Sequence, residues 1–411
     1  MNSLGGDAPS NGQVAMRCPL FAETAIGIIT IVIGFDASQA ADEIRPATKW
    51  QAEEYQPRAS KFGRLEKVDA MTLNPHHDVI NLAITPQDSC VLSHVGCVTT
   101  FDLQAPEEAC TLDCSDRSAS GLRSGPRSGP LWKFALLSER PFPTITMGHE
   151  LFYWDPDSPR IVSLGTEDVS GISADGRFLV RGRPEKLQWY DRTNRKPIWE
   201  GETLGDKVED AVILDGKGIA VLTGPEDDRG SPLERQPTRV YWIDAAQKRP
   251  QRILTSDEFE IFPSGNECAV NVSKLASSSA GDTLFMSGHV YEFLIRRTEG
   301  HVLAFDTRGK KFLWSRFFAG YGVTTMEVSR SGRLVVVCLD RESITPKHVP
   351  ESEIVGPQIV EILDGRTGDT LLRCEDLLQI LTCAAFNADE SKVVVGANGG
   401  LLYIWDISTI K

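Results

Sequence analysis

A chain of 411 residues with 41% hydrophobic and 24% charged residues has the apolar material for a large core, which excludes disorder along its whole length. Its net charge of -14, from 43 Lys and Arg against 57 Asp and Glu, is the opposite of the basic footprint that nucleic-acid binding needs. No nucleic-acid partner is therefore expected.

The first feature along the chain is the uncharged run Ile-Gly-Ile-Ile-Thr-Ile-Val-Ile-Gly-Phe at 26–35. A spanning helix needs roughly 20 apolar residues, so this run is too short to cross a bilayer and has instead the length of an export signal's apolar region. Met16-Arg17 precedes it, and Ser38-Gln39-Ala40 follows with small residues at both positions that determine cleavage. Residues 1–40 are thus expected to be an export signal, with a possible start at Met16 and cleavage after Ala40. Glu23 and Asp36 are acids where such signals seldom carry them, and a buried strand is the rival for a short apolar run. The expected localisation is periplasmic, cell-surface or secreted, with the cytoplasm as the alternative, and no stable membrane span is expected after cleavage. Losing Asp7, Arg17, Glu23 and Asp36 moves the net charge from -14 to -12. Residues 41–63 are polar, lack a sustained period and read as a tether.

From residue 64 the chain repeats. A short aromatic or aliphatic strand ending in Asp recurs at Phe101-Asp102, Trp154-Asp155, Tyr190-Asp191, Ile243-Asp244, Phe305-Asp306, Leu363-Asp364 and Trp405-Asp406, with Asp-to-Asp spacings of 53, 36, 53, 62, 58 and 42. Such spacings centre on a four-stranded blade with insertions. Turn signals precede several copies, at Ser173-Ala174-Asp175-Gly176, Leu214-Asp215-Gly216, Ser329-Arg330-Ser331-Gly332, Asn387-Ala388-Asp389 and Thr85-Pro86-Gln87-Asp88, and mark the reversal from a blade's first strand, A, to its second, B. The large residue before each Asp can fill the space between blades, and the Asp can accept bonds from the N–H groups of the turn after strand C. In the last copy, strands A, B and C occupy 383–386, 392–396 and 401–406. A strand over 64–71 can then supply the missing D and close the ring, which otherwise keeps an open edge. The expected fold class is all-β, a single β-propeller of about seven four-stranded antiparallel blades over 64–411.

The closing stretch Ala384-Ala385-Phe386-Asn387-Ala388-Asp389, Val393-Val394-Val395-Gly396 and Leu402-Tyr403-Ile404-Trp405-Asp406 resembles a WD40 repeat. Gly300-His301-Val302-Leu303-Ala304-Phe305-Asp306-Thr307 with Trp314 resembles instead the repeat of quinoprotein propellers that bind pyrroloquinoline quinone, as do Tyr190-Asp191-Arg192-Thr193 with Trp199 and Asp364-Gly365-Arg366-Thr367-Gly368. Both resemblances imply the propeller fold and leave function open. The second implies adjacent cysteines, a calcium site and an acidic base; the chain has no Cys-Cys pair. A non-enzymatic scaffold that binds a protein partner or small ligand is therefore the preferred expectation, with no catalytic residue, metal or cofactor. The alternative is a quinoprotein-like dehydrogenase, or another propeller enzyme, with its site at the channel mouth.

Other candidate chemistry is thin. His76-His77-Asp78 follows Asn74-Pro75 without spaced companion ligands, and Glu226-Asp227-Asp228 does not match a calcium-loop spacing. Cys90 and Cys97, with a turn at Val95-Gly96, should pair with Phe101 and His94 and stand too far apart for a disulfide. Cys338 and Cys383 lie in apolar strands as free thiols. Long connections are expected at 224–238, 289–299 and 341–357, each between strands B and C, and at 115–130 between strand D and the next strand A. By antiparallel parity all four emerge on one face, where loops on a rigid scaffold concentrate binding residues. The candidate partner-binding residues are accordingly Arg117, Arg123, Arg127, Asp227, Asp228, Arg229, Arg296, Arg297, Arg341 and Lys347, and the three arginines of 115–130 favour an anionic group on the partner.

Overall fold

Among the described residues the apolar runs and period-two stretches become strands. The computed structural model describes residues between 44 and 410 in pieces, continuous from 268 apart from 293–296, 319–320, 341–357 and 378. They form seven antiparallel sheets in chain order. Sheet 1 holds Asn81–Ile84, Ser89–His94, Cys97–Asp102 and Ala105–Asp113. Sheet 2 holds Phe134–Leu136, Pro143–Met147, Glu150–Trp154 and Ile161–Thr166. Sheet 3 holds Val169–Ile172, Phe178–Arg183, Lys186–Asp191 and Lys196–Gly201. Sheet 4 holds Lys207–Leu214, Gly218–Gly224, Arg239–Asp244 and Pro250–Thr255. Sheet 5 holds Cys268–Ser277, Thr283–Glu292, Arg297–Asp306 and Lys311–Phe318. Sheet 6 holds Gly322–Val328, Leu334–Asp340, Gln358–Asp364 and Thr370–Leu377. Sheet 7 combines Leu381–Phe386, Lys392–Ala397 and Leu401–Asp406 with Val68–Thr72 from the other end of the sequence.

Six repeat motifs end the third strand, C, of their sheets with their Asp, and the seventh places Trp154 at the end of its third strand, with Asp155 outside the described residues. The aspartates act as turn caps wherever their side chains are described in sheets 3 to 7. Asp191 accepts from the amides of Thr193 and Asn194, Asp244 from Ala246 and Gln247, Asp306 from Arg308, Asp364 from Arg366 and Thr367, and Asp406 from Ser408. Each bond satisfies an amide that the reversal withdraws from the ladder.

The large residue before the Asp packs between sheets at Phe101, Ile243, Phe305, Leu363 and Trp405. Five apolar clusters each join consecutive sheets: 3 with 4 around Trp189 and Ile243, 4 with 5 around Trp242 and Phe305, 5 with 6 around Phe285 and Leu363, 6 with 7 around Ile362 and Trp405, and 7 with 1 around Leu402 and Phe101. First strands lie against first strands along the same series, and that of sheet 1 also touches that of sheet 2. Val68–Thr72 pairs antiparallel with the last strand, Val68 opposite Trp405 and Thr72 opposite Leu401. A strand was expected there; it starts four residues later than residue 64.

Two expectations are corrected. The stretch 41–63, read as a tether, contributes Ile44–Pro46 to the outer edge of sheet 1 and Gln51–Tyr55 to the outer edge of sheet 7. The long connection placed at 289–299 is largely strand, because the second and third strands of sheet 5 run on with Val290 opposite Glu299 and Glu292 opposite Arg297. Val290 and Tyr291 are residues that favour extended backbone, so the extra length was taken up as ladder rather than loop. Among the described residues no helix is long and apolar enough to cross a membrane.

Candidate functional site

The first strands of the sheets share a device that the repeat motifs did not announce. In five of them the register slips by one residue at a matching place, passing over Ser170, Glu209, Ser273, Thr324 and Thr382. A β-bulge of this kind leaves one residue without a ladder partner. Three bulge hydroxyls fill that gap: Ser273 Oγ donates to the Ser287 carbonyl at 3.3 Å, Thr324 Oγ1 to Cys338 at 3.2 Å and Thr382 Oγ1 to Gly396 at 3.1 Å. The signal was present as an aliphatic residue followed by Ser, Thr or Glu, in Val169-Ser170, Val208-Glu209, Val272-Ser273, Val323-Thr324 and Leu381-Thr382.

Past two of these bulges stand charged residues that tie three neighbouring first strands together. Asp210 Oδ2 accepts from the Leu275 amide of sheet 5 at 2.9 Å, and Lys274 Nζ lies 3.3 Å from Glu327 Oε2 of sheet 6. Burial by itself would pull the Lys274 ammonium down, but Glu327 and Asp210 more than offset it and hold its pKa above the usual lysine value. It is therefore a fixed cation at neutral pH and neither a base nor a nucleophile. The pair keeps 38% and 36% of its side-chain surface accessible to solvent, so it is not sealed in the interior.

The nearby thiols are set against covalent chemistry as well. Cys90, Cys338 and Cys383 are free and buried, and Cys374 is buried. Burial, reinforced by Cys383, drives Cys90 and Cys338 well upward, and burial raises Cys383 to about 11 against the opposing hydrogen bond from Thr382. The thiolate is the reactive form, and these positions suppress it. Cys90 pairs with Phe101 and Cys97 with His94, as the turn at Val95-Gly96 predicted.

The A-to-B turns interlock from sheet to sheet. Lys217 Nζ reaches the Ala280 carbonyl and Asp282; the Ser279 amide donates to the Arg330 carbonyl at 2.9 Å; the Ser331 amide and hydroxyl donate to Glu390 at 2.6 and 2.7 Å; and Asn387 Nδ2 donates to Asp88 at 3.3 Å. This links sheets 4, 5, 6, 7 and 1 in order. In the A-to-B turns of sheets 3, 6 and 7 a buried polar residue clips the strand that follows: Phe178, Leu334 and Lys392 amides donate to Ser173 Oγ, Ser329 Oγ and Asn387 Oδ1. Beside the sheet 4 and 5 turns lies a cleft of about 390 Å³ lined by Lys217, Trp242, Asp244, Arg308 and Lys310, with Thr307 and the 245–247 turn.

Of the residues singled out from sequence, Arg117, Arg123, Arg127, Asp227, Asp228, Arg229, Arg296, Arg341 and Lys347 lie outside the described residues, as do His76-His77-Asp78 and residues 1–40. Arg297 opens a strand opposite Glu292 instead of standing in a loop. Among the described residues no three His, Cys, Asp or Glu side chains are grouped to hold a metal ion. No family model matches the chain, and no curated protein matches its sequence.

Proposed function

We propose that the seven sheets are the blades of one β-propeller, closed by Val68–Thr72, and that the protein is an exported, non-catalytic scaffold. It takes a protein partner or small ligand at the end of the blades that bears the long connections at 115–130, 224–238 and 341–357. The observation that carries the ring is the unbroken hydrogen-bonded series of A-to-B turns through sheets 4, 5, 6, 7 and 1, which runs alongside the apolar clusters between the same sheets. What supports binding over catalysis is the tuning of Lys274 and the thiols away from reactivity. Loops held by rigid strands are where a scaffold varies its contacts without disturbing its core.

Two measurements test this reading. Truncation before Val68 should leave a cooperative melt, whereas truncation after Thr72 should lower Tm sharply or give insoluble protein; equal melting would remove the closure. For the binding end, each of the three connections is shortened to a Gly-Ser turn, and affinity for the partner captured by the full chain is measured beside Tm. A large loss at one site with Tm retained is the expected result, and full affinity at all three overturns the assignment. N-terminal sequencing of native protein is expected to begin at Ala41.

A further inference from the structure

The A-to-B and C-to-D turns project from the end of each sheet opposite the long connections, and in sheets 4 to 6 this end carries cations although the whole chain carries -14. Arg249, Lys310, Lys311, Arg330, Arg333 and Arg366 are all exposed, and none is in an ion pair among the described residues. The carboxylates interspersed with them are already engaged, including the exposed Asp369 of the sheet 6 turn, which accepts from the Thr367 hydroxyl. Asp244, Asp306 and Asp364 are half-buried and cap their own turns, and Asp282 is shared between Lys217 and Arg308.

The cleft between sheets 4 and 5 opens within this field. Lys217, Arg308 and Lys310 stand on its wall, and Trp242, only 7% exposed, supplies a recessed apolar surface. Lys310 Nζ leans to a neutral partner, Gln251 Oε1, at 2.8 Å. Phe312, 43% exposed, packs edge to face on Phe305, which belongs to the same apolar cluster as Trp242. An exposed ring thus continues the interface outward from the cleft.

From this arrangement we infer a second interaction surface, at the turn end of sheets 4 to 6, that takes an acidic peptide segment of a protein partner with an aromatic or aliphatic anchor seated beside Trp242. Spaced cations around a concave apolar spot match spaced carboxylates around one anchor. A lipid surface would be met by an unbroken basic field; here carboxylates alternate with the cations, and the apolar spot inside the cleft, Trp242, is recessed. The inference is independent of ring closure and of the opposite, loop-bearing end.

The test uses the full chain and a fluorescein-labelled peptide of glutamates around a single Phe, read by fluorescence anisotropy. A second peptide has Lys in place of each Glu, and vesicles of phosphatidylserine in phosphatidylcholine form a third arm. The variants Lys310→Gly, Lys311→Gln and Arg366→Gln change exposed side chains, and thermal melting confirms that each keeps its fold. Binding of the acidic peptide, weakening with salt, with a loss of roughly 2–5-fold for each charge removed and no binding of the Lys peptide, is the expected result. The inference is overturned by a wild-type chain that takes the vesicles but not the peptide, by one that takes neither, or by a triple variant that binds the peptide as tightly as wild type.

Discussion

The second and fourth strands of these sheets meet opposite demands. Gly218–Gly224 of sheet 4 is buried at every position and Leu334–Asp340 of sheet 6 at every position but the last, because a neighbouring sheet covers each face. Lys311–Phe318, at the outer edge of sheet 5, exposes Lys311, Phe312 and Leu313. Second strands accordingly read as unbroken apolar runs, Leu334-Val335-Val336-Val337-Cys338 among them, while the fourth strand of sheet 5 mixes charges with aromatics. Burial, and with it the cost of a substitution, therefore falls from the inner part of a sheet to its outer edge. The most direct way to break this comparison is to truncate one ring at each depth. Trp405→Ala, in a fully buried side chain of sheet 7, should cost about 3–5 kcal/mol. Phe312→Ala, with 43% of its surface already in water, should cost under ~1 kcal/mol. Urea denaturation compares the two, and similar losses would show that the gradient is absent.

The outer strands still send charge inward at one place, and that qualifies the gradient. Arg316 of sheet 5 and Arg373 of sheet 6, each on a fourth strand, converge on Glu361, which has no solvent exposure. Glu361→Gln would leave two guanidinium groups facing a neutral amide. A buried pair broken from one side costs about 3–5 kcal/mol. The arginines here keep 26% and 22% exposure, so a loss of about 2 kcal/mol is expected. Arg373→Met should cost less, since Arg316 continues to compensate the carboxylate; the reverse order in chemical denaturation would mean that the pair is not acting as a shared site.

Much of this architecture was legible. The seven Asp-terminated motifs each mark a third strand because the residue types answer local needs: a bulky side chain between sheets and a carboxylate for the following turn. The bond between Ser279 and Arg330, or between Ser331 and Glu390, was not legible, since it joins positions far apart in sequence with no fixed residue type at either end. The bulges at Ser273, Thr324 and Thr382 were written in the sequence as polar residues opening apolar strands, but that spacing also fits ordinary alternation. The connection at 289–299 was misjudged for a related reason: loop length was counted from motif spacing, and strands can lengthen to absorb it. Of the candidate site, the capping aspartates were readable, whereas the Lys274–Glu327 contact depends on which strands become neighbours.

The turn clips sharpen the comparison at an intermediate scale, because they are polar groups placed where burial is complete. Ser329, with no exposure, accepts the Leu334 amide and lies at the root of the sheet 6 turn. Ser329→Ala should cost about 1 kcal/mol, the value of one buried hydrogen bond, and Ser331→Ala, on the exposed part of the same turn, should cost less. Thermal melts of the two variants decide the order.

A weaker effect is expected from pH. The Lys217 hydrogen bond, with Arg308 beyond it, holds the Asp282 carboxyl below its ordinary value of 3.8. A depressed carboxylate stabilises the fold above its unfolded pKa, and that contribution is lost as pH falls through the lower folded value. Asp282→Asn should therefore flatten the fall in Tm below about pH 3.8 and leave the curve above it parallel to wild type. An unchanged acid limb would show that the bridge between the sheet 4 and 5 turns contributes nothing.

The smallest effect is expected where two terms nearly cancel. Lys310 closes the turn between the third and fourth strands of sheet 5 with φ at 51°, in the left-handed region that a side chain resists at a cost of about 1 kcal/mol. The corresponding residue of sheet 6 is Gly368, with φ at 75°, where a Cβ would come within 2.8 Å of Trp314 and only glycine fits. No such wall faces Lys310, whose side chain extends to Gln251 at the exposed edge. Lys310→Gly relieves the backbone but gives the unfolded chain more conformations, a term of about 0.4–1 kcal/mol in the opposite sense, and it removes the Gln251 contact. The net change should fall within a few tenths of a kcal/mol of zero, on the same reasoning. A large loss would mean that the Lys310–Gln251 contact holds sheets 4 and 5 together, and the outer edge would then carry structural weight that its exposure does not suggest.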